Sequence, residues 1–147
     1  MRTGRFSACV MLFFGVLTVL APHALFPVCA GTVATAAGGV MPMKCFWTAR
    51  AASGLGIVIL FAGVMLFFAK QPAFRAGVAL ALMPVSLLTA LVPLHVIGVC
   101  PSEAMPCRMG TLPALCLLAF FTGLTAAVIV WRDFRAMRAA SHADRAR

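Results

Sequence analysis

Four long, mainly apolar runs dominate the chain, at residues 6–26, 47–69, 74–99 and 111–131, and each reaches the roughly 20 residues that an α-helix needs to cross a bilayer. All four are too long for strands and lack the two-residue alternation of one, so they are expected to be helices. A chain of 147 residues that is 63% apolar and 10% charged cannot cover its own surface in water. The expected class is an all-α polytopic membrane four-helix bundle.

Charge placement then sets the topology. Nine basic residues, Arg2, Arg5, Lys70, Arg75, Arg132, Arg135, Arg138, Arg145 and Arg147, fall on one side of the spans, and three, Lys44, Arg50 and Arg108, on the other. Basic loops stay inside, which predicts both termini in the cytoplasm. The net charge of +9 is therefore topogenic, and no nucleic-acid partner is expected. Residues 1–131 form the transmembrane domain, and residues 132–147 a basic, solvated cytoplasmic tail, with a helical extension near anionic headgroups as the alternative. Arg2 and Arg5 before the first run and Ala34-Thr35-Ala36 after it also resemble a cleavable signal, but the run is long for a signal core, so the span is expected to be retained.

The two outer loops repeat one design. The first runs Leu20-Ala21-Pro22, Phe26-Pro27-Val28-Cys29, then Met41-Pro42-Met43-Lys44-Cys45. The second runs Leu91-Val92-Pro93, Ile97-Gly98-Val99-Cys100, then Met105-Pro106-Cys107-Arg108. Two repeated helical hairpins with Cys-bearing outer loops predict a pseudo-two-fold axis along the membrane normal. Lys70-Gln71-Pro72 is the short charged turn between the second and third spans, which are expected to form a hairpin of their own.

These same segments, with Cys45-Phe46-Trp47-Thr48-Ala49-Arg50 and Cys107-Arg108-Met109-Gly110-Thr111-Leu112-Pro113-Ala114, resemble the bacterial domain-of-unknown-function family 4418 over about residues 6–131. The resemblance implies the same four-span layout in a bacterial cytoplasmic (inner) membrane, and no mechanism. Against it, residues 30–40 look like an inserted flexible loop.

Four of the six cysteines, Cys29, Cys45, Cys100 and Cys107, fall in the outer loops, where an oxidising compartment favours disulfides. The repeat favours Cys29 with Cys45 and Cys100 with Cys107, and leaves cross-pairing such as Cys29 with Cys100 open. Cys9 and Cys116, inside spans, read as packing residues. One alternative is a quinone-linked thiol–disulfide oxidoreductase with Cys45 and Cys107 reactive beside Lys44 and Arg108, although no Cys-x-x-Cys occurs. Another is a Cu(I) site in which the outer cysteine thiolates join Met41, Met43, Met105 and Met109 with His23 and His95; the histidines precede their cysteines by six and five residues, so they are not repeat equivalents.

No ionisable side chain lies mid-span, only Thr18, Ser86, Thr89, Thr122, Thr125 and two cysteines, which argues against a transport pathway. Ala52-x3-Gly56 and Ala119-x3-Gly123-x3-Ala127 are faces for close helix packing, expected within the chain. Pro84 should kink the third span unless neighbours compensate, and Pro113 suits a first helical turn. Trp47 and Trp131 read as interfacial anchors, and Arg50 as a snorkelling side chain. The expected role is a structural or accessory subunit, with the bilayer and a larger membrane protein as partners and no cofactor.

Overall fold

A computed structural model describes residues 2–26, 28, 31–34, 38–99 and 107–145. Four long helices account for most of them: α1 (Arg2–Leu20), α2 (Lys44–Phe68), α3 (Pro72–Leu91) and α4 (Leu112–Arg145). Each is apolar and long enough to cross a membrane. The fold is the all-α four-helix bundle expected.

α1 packs most extensively on α2 and α3 on α4, with smaller contacts between α1 and α4 and between α2 and α3. The units are thus the two hairpins closed by the Cys-bearing loops. The turn between α2 and α3 is tight: the Ala69 N–H closes α2 on the Met65 carbonyl, and Pro72 occupies the first turn of α3, where a missing N–H costs little.

The hairpins repeat along their whole length. Buried Ala8, Met11, Gly15, Thr18, Ala21 and Pro22 of the first have buried counterparts 71 positions on, at Ala79, Leu82, Ser86, Thr89, Val92 and Pro93. On the return helices Thr48, Ala52, Gly56, Ile59, Gly63 and Leu66 correspond, 63 positions on, to Thr111, Leu115, Ala119, Thr122, Ala126 and Ile129. Spacings of three and four residues keep each set on one helical face. Large apolar side chains such as Phe61, Leu87, Leu117 and Phe120 point outward. Most of the inner positions are small residues, because lipid supplies no hydrophobic drive between helices and backbone approach gives much of the packing contact instead.

Gly56 shows how close that approach is. A Cβ there would lie 2.9 Å from the Val19 backbone nitrogen and 3.2 Å from the Gly15 carbonyl oxygen, so any side chain forces α1 and α2 apart. A Cβ on Gly123 would meet the Ser86 hydroxyl at 2.9 Å. Both small-residue faces therefore pack within the chain.

The hydroxyls within the spans are used locally. Thr18, Thr89, Thr122 and Thr125 donate to the carbonyls of Phe14, Val85, Leu118 and Phe121, and Ser86 to that of Met83, all within 2.7–2.8 Å. α3 continues through Pro84 as one helix.

Two segments outside the apolar runs take regular structure. Residues 30–40 include part of a short antiparallel ribbon, β1 (Thr32–Ala34) with β2 (Val40–Pro42), in the register Thr32 opposite Pro42 and Ala34 opposite Val40. Val and Thr suit extended backbone, and Gly38, at φ +79°, takes a left-handed conformation between the strands. The residues after Trp131 continue α4 to Arg145, with the Arg135 guanidinium 3.9 Å from the centre of the Trp131 ring one turn back. At 1.5 Å per residue the 34 residues of α4 extend about 51 Å, well beyond a hydrocarbon core of ~30 Å.

Candidate functional site

At the loop end of the bundle α1 and α3 stop in the same way. Each passes into a five-residue π-helical turn, Ala21–Leu25 and Val92–Val96, with a proline at its second position. Pro22 and Pro93 have no N–H to offer the carbonyl four residues back, which in both hairpins belongs to a threonine, Thr18 or Thr89. Each turn closes on a bond to its first residue, from the Phe26 N–H to Ala21 at 2.8 Å and from the Ile97 N–H to Val92 at 3.1 Å.

The chains that leave these turns are held by the opposite hairpin. The Thr48 hydroxyl on α2 donates to the Gly98 carbonyl at 2.7 Å, and the Thr111 hydroxyl at the head of α4 donates to the Phe26 carbonyl at 3.0 Å. Each hairpin thus satisfies a carbonyl that the other leaves past its helix end, where no intrahelical donor remains.

One turn before each of these threonines stands a cysteine. Cys45 falls in the first turn of α2 and Cys107 opens a third π-helical turn, Cys107–Thr111, that leads into α4. These two positions belong to helical turns rather than to loops, because each continues the buried face of its helix. The extra residue of the π turn explains a slip in the repeat: Cys45 precedes Thr48 by three residues, Cys107 precedes Thr111 by four, and both pairs still face inward. Both cysteines are fully buried, and their sulfur atoms lie 3.3 Å apart. A disulfide measures about 2.05 Å, so this is a contact, not a bond. Val28 and Met43 pack against the pair.

The sulfurs that meet come from different hairpins, whereas the repeat favours closure within each. Cys29 and Cys100, and with them the pairings Cys29–Cys45 and Cys100–Cys107, lie outside the described residues, as does Met105. Of the soft-metal candidates, Met41 and Met109 are exposed and Met43 is half-buried against the cysteines. His23 is exposed, its Nε2 2.8 Å from the Ser53 hydroxyl, and His95 is exposed on the second turn. Among the described residues no three His, Cys, Asp or Glu side chains come together in a way that would hold a metal. Lys44 and Arg108, next in sequence to the two cysteines, are exposed, and the Arg50 guanidinium lies 5.0 Å from the centre of the Phe46 ring. Cys116 is half-buried on α4, while Cys9 is exposed on α1 and not part of the interior.

Thr48 and Thr111 were not legible as site residues. Their signal is a threonine one helical turn after the loop-end cysteine in both return limbs.

Four apolar helices in two repeated hairpins define a multi-pass membrane protein. The chain belongs to the family described as a domain of unknown function, DUF4418, whose model matches residues 11–132. No curated protein and no solved structure matches it.

Proposed function

We propose that the chain is a structural or accessory subunit of a bacterial inner membrane, with both termini cytoplasmic and its loop end in an oxidising compartment, where a disulfide between Cys45 and Cys107 clasps the two hairpins. The observation that carries this reading is the 3.3 Å contact between two fully buried sulfurs from different hairpins. Before the bundle closes over the pair, oxidation forms one S–S bond and releases two protons and two electrons, which reduce a protein disulfide of that compartment to a dithiol. Burial favours a lasting link over turnover, since exchange needs an accessible thiolate. The outward apolar faces suit lipid or the spans of a larger partner. Recovery in mild detergent tests the partner: a chain that purifies as a monomer with nothing bound overturns that part.

A second reading is favoured by Lys44 and Arg108, cations next in sequence to the two cysteines. In it Cys45 and Cys107 form a quinone-linked couple. A substrate dithiol reduces their disulfide, and the resulting pair passes two electrons and two protons to a quinone, giving a quinol. Thiol trapping on membranes from growing cells separates the two. A pair that stays oxidised when respiration is blocked supports the clasp, and a pair that becomes reduced supports the oxidoreductase.

A further inference from the structure

The opposite end of the bundle, where α1 begins and α2 meets α3, holds a cleft of about 550 Å³ that the cysteine site does not use. Its volume falls within the roughly 300–1,000 Å³ usual for small-molecule sites. All four helices contribute: Arg5 from α1, Phe67 from α2, Arg75 from α3, Arg132 and Asp133 from α4, with Lys70 on the intervening turn.

Four cations line this cleft against one carboxylate. That carboxylate is engaged, since the Arg75 Nε donates to an Asp133 oxygen at 3.2 Å, with both side chains largely buried. The Arg75 guanidinium also packs against Gly4, so α1, α3 and α4 meet around the ion pair. Arg5 is placed 6.0 Å from the centre of the Phe67 ring. A concave site with a net charge of three positive units concentrates anions.

Its depth and its second wall narrow the ligand. Phe67 and Phe68 end the apolar run of α2, and Arg132 follows the interfacial Trp131, so the cations stand at the boundary between hydrocarbon and headgroups. A free anion has no use for the aromatic wall, whereas a lipid places its phosphate among the cations and its acyl chain along the rings.

We propose that this cleft binds the phosphate of an anionic phospholipid, held by Lys70 and Arg132 beside the Arg75–Asp133 pair. The proposal does not depend on the state of the cysteines. Its test is native mass spectrometry of the full chain, delipidated in mild detergent and titrated with phosphatidylglycerol or phosphatidylcholine of identical acyl chains. Phosphatidylglycerol should be retained selectively. Lys70→Gln and Arg132→Gln should each weaken it about fivefold, the equivalent of ~1 kcal/mol per basic residue at an anionic surface. Arg132→Lys should keep most of the binding, which separates lost charge from lost folding. Arg138→Gln, the same charge removed from the same end but outside the cleft, should have no effect. Equal retention of the two lipids, or an equal loss with Arg138→Gln, overturns the proposal. So does glycerol phosphate binding as tightly as the lipid, which would make the ligand a soluble phosphate.

Discussion

The Thr48 hydroxyl reaches 2.7 Å across the bundle to the carbonyl of Gly98, fifty residues away in the other hairpin. Thr111 returns the same favour to Phe26 at 3.0 Å. The cysteine pair joins the same two limbs one turn nearer the loops, so the loop end is a junction of both hairpins.

Replacing Thr48 with Val keeps the shape and leaves the Gly98 carbonyl without its donor. A cost of about 1–2 kcal/mol is expected, in line with hydrogen bonds between membrane helices and with the penalty for an unsatisfied carbonyl. Thr111→Val should behave alike. Unfolding of each variant in mixed detergent micelles checks both, and parent-like stability in the two would show that these bonds contribute nothing net.

A chain with Cys9, Cys29, Cys100 and Cys116 changed to Ser keeps only the buried pair. Mild oxidation should join Cys45 to Cys107 within one chain, because closing 3.3 Å to about 2.05 Å needs only a small side-chain movement. Peptide mapping should recover the crossed peptide. Finding only dimers crosslinked between chains would contradict the contact.

Gly56→Val should separate α1 from α2 at the cost of several kcal/mol, as overpacking against backbone cannot be relieved by a rotamer change. Gly54, two residues earlier, would present a Cβ to open space, and Gly54→Ala should be neutral or slightly stabilising. Parallel thermal unfolding of the pair gives the comparison.

Asp133→Asn removes the partner of Arg75 and should cost about 1 kcal/mol, a modest amount because both side chains keep some contact with solvent. High salt should reduce the difference between variant and parent. A difference that salt does not change would mean the pair acts through packing alone.

For the topology, alkaline phosphatase inserted between Gly38 and Gly39 should be active, and the same enzyme fused after Arg147 inactive. The opposite pattern would invert the bundle and place the cysteines in a reducing compartment.

The class of the protein was written in the sequence. Hydropathy and span length are local and additive, so four apolar runs determined four helices, and the Pro and Cys punctuation of the loops revealed the repeat. The helix ends were less legible: α2 begins at Lys44, ahead of the apolar run, because Cys45 continues the buried face set by Thr48, Ala52 and Gly56. Only the tertiary structure decided which cysteines meet. Cys45 and Cys107 are 62 residues apart and belong to different hairpins, and their contact depends on how α2 and α4 are rotated about their own axes and on the extra residue of the turn Cys107–Thr111. Rotation of that kind is set by close backbone contacts such as Gly56 against Gly15, and by bonds such as Thr48 to Gly98. Such contacts join residues far apart in the chain, and no local pattern carries them.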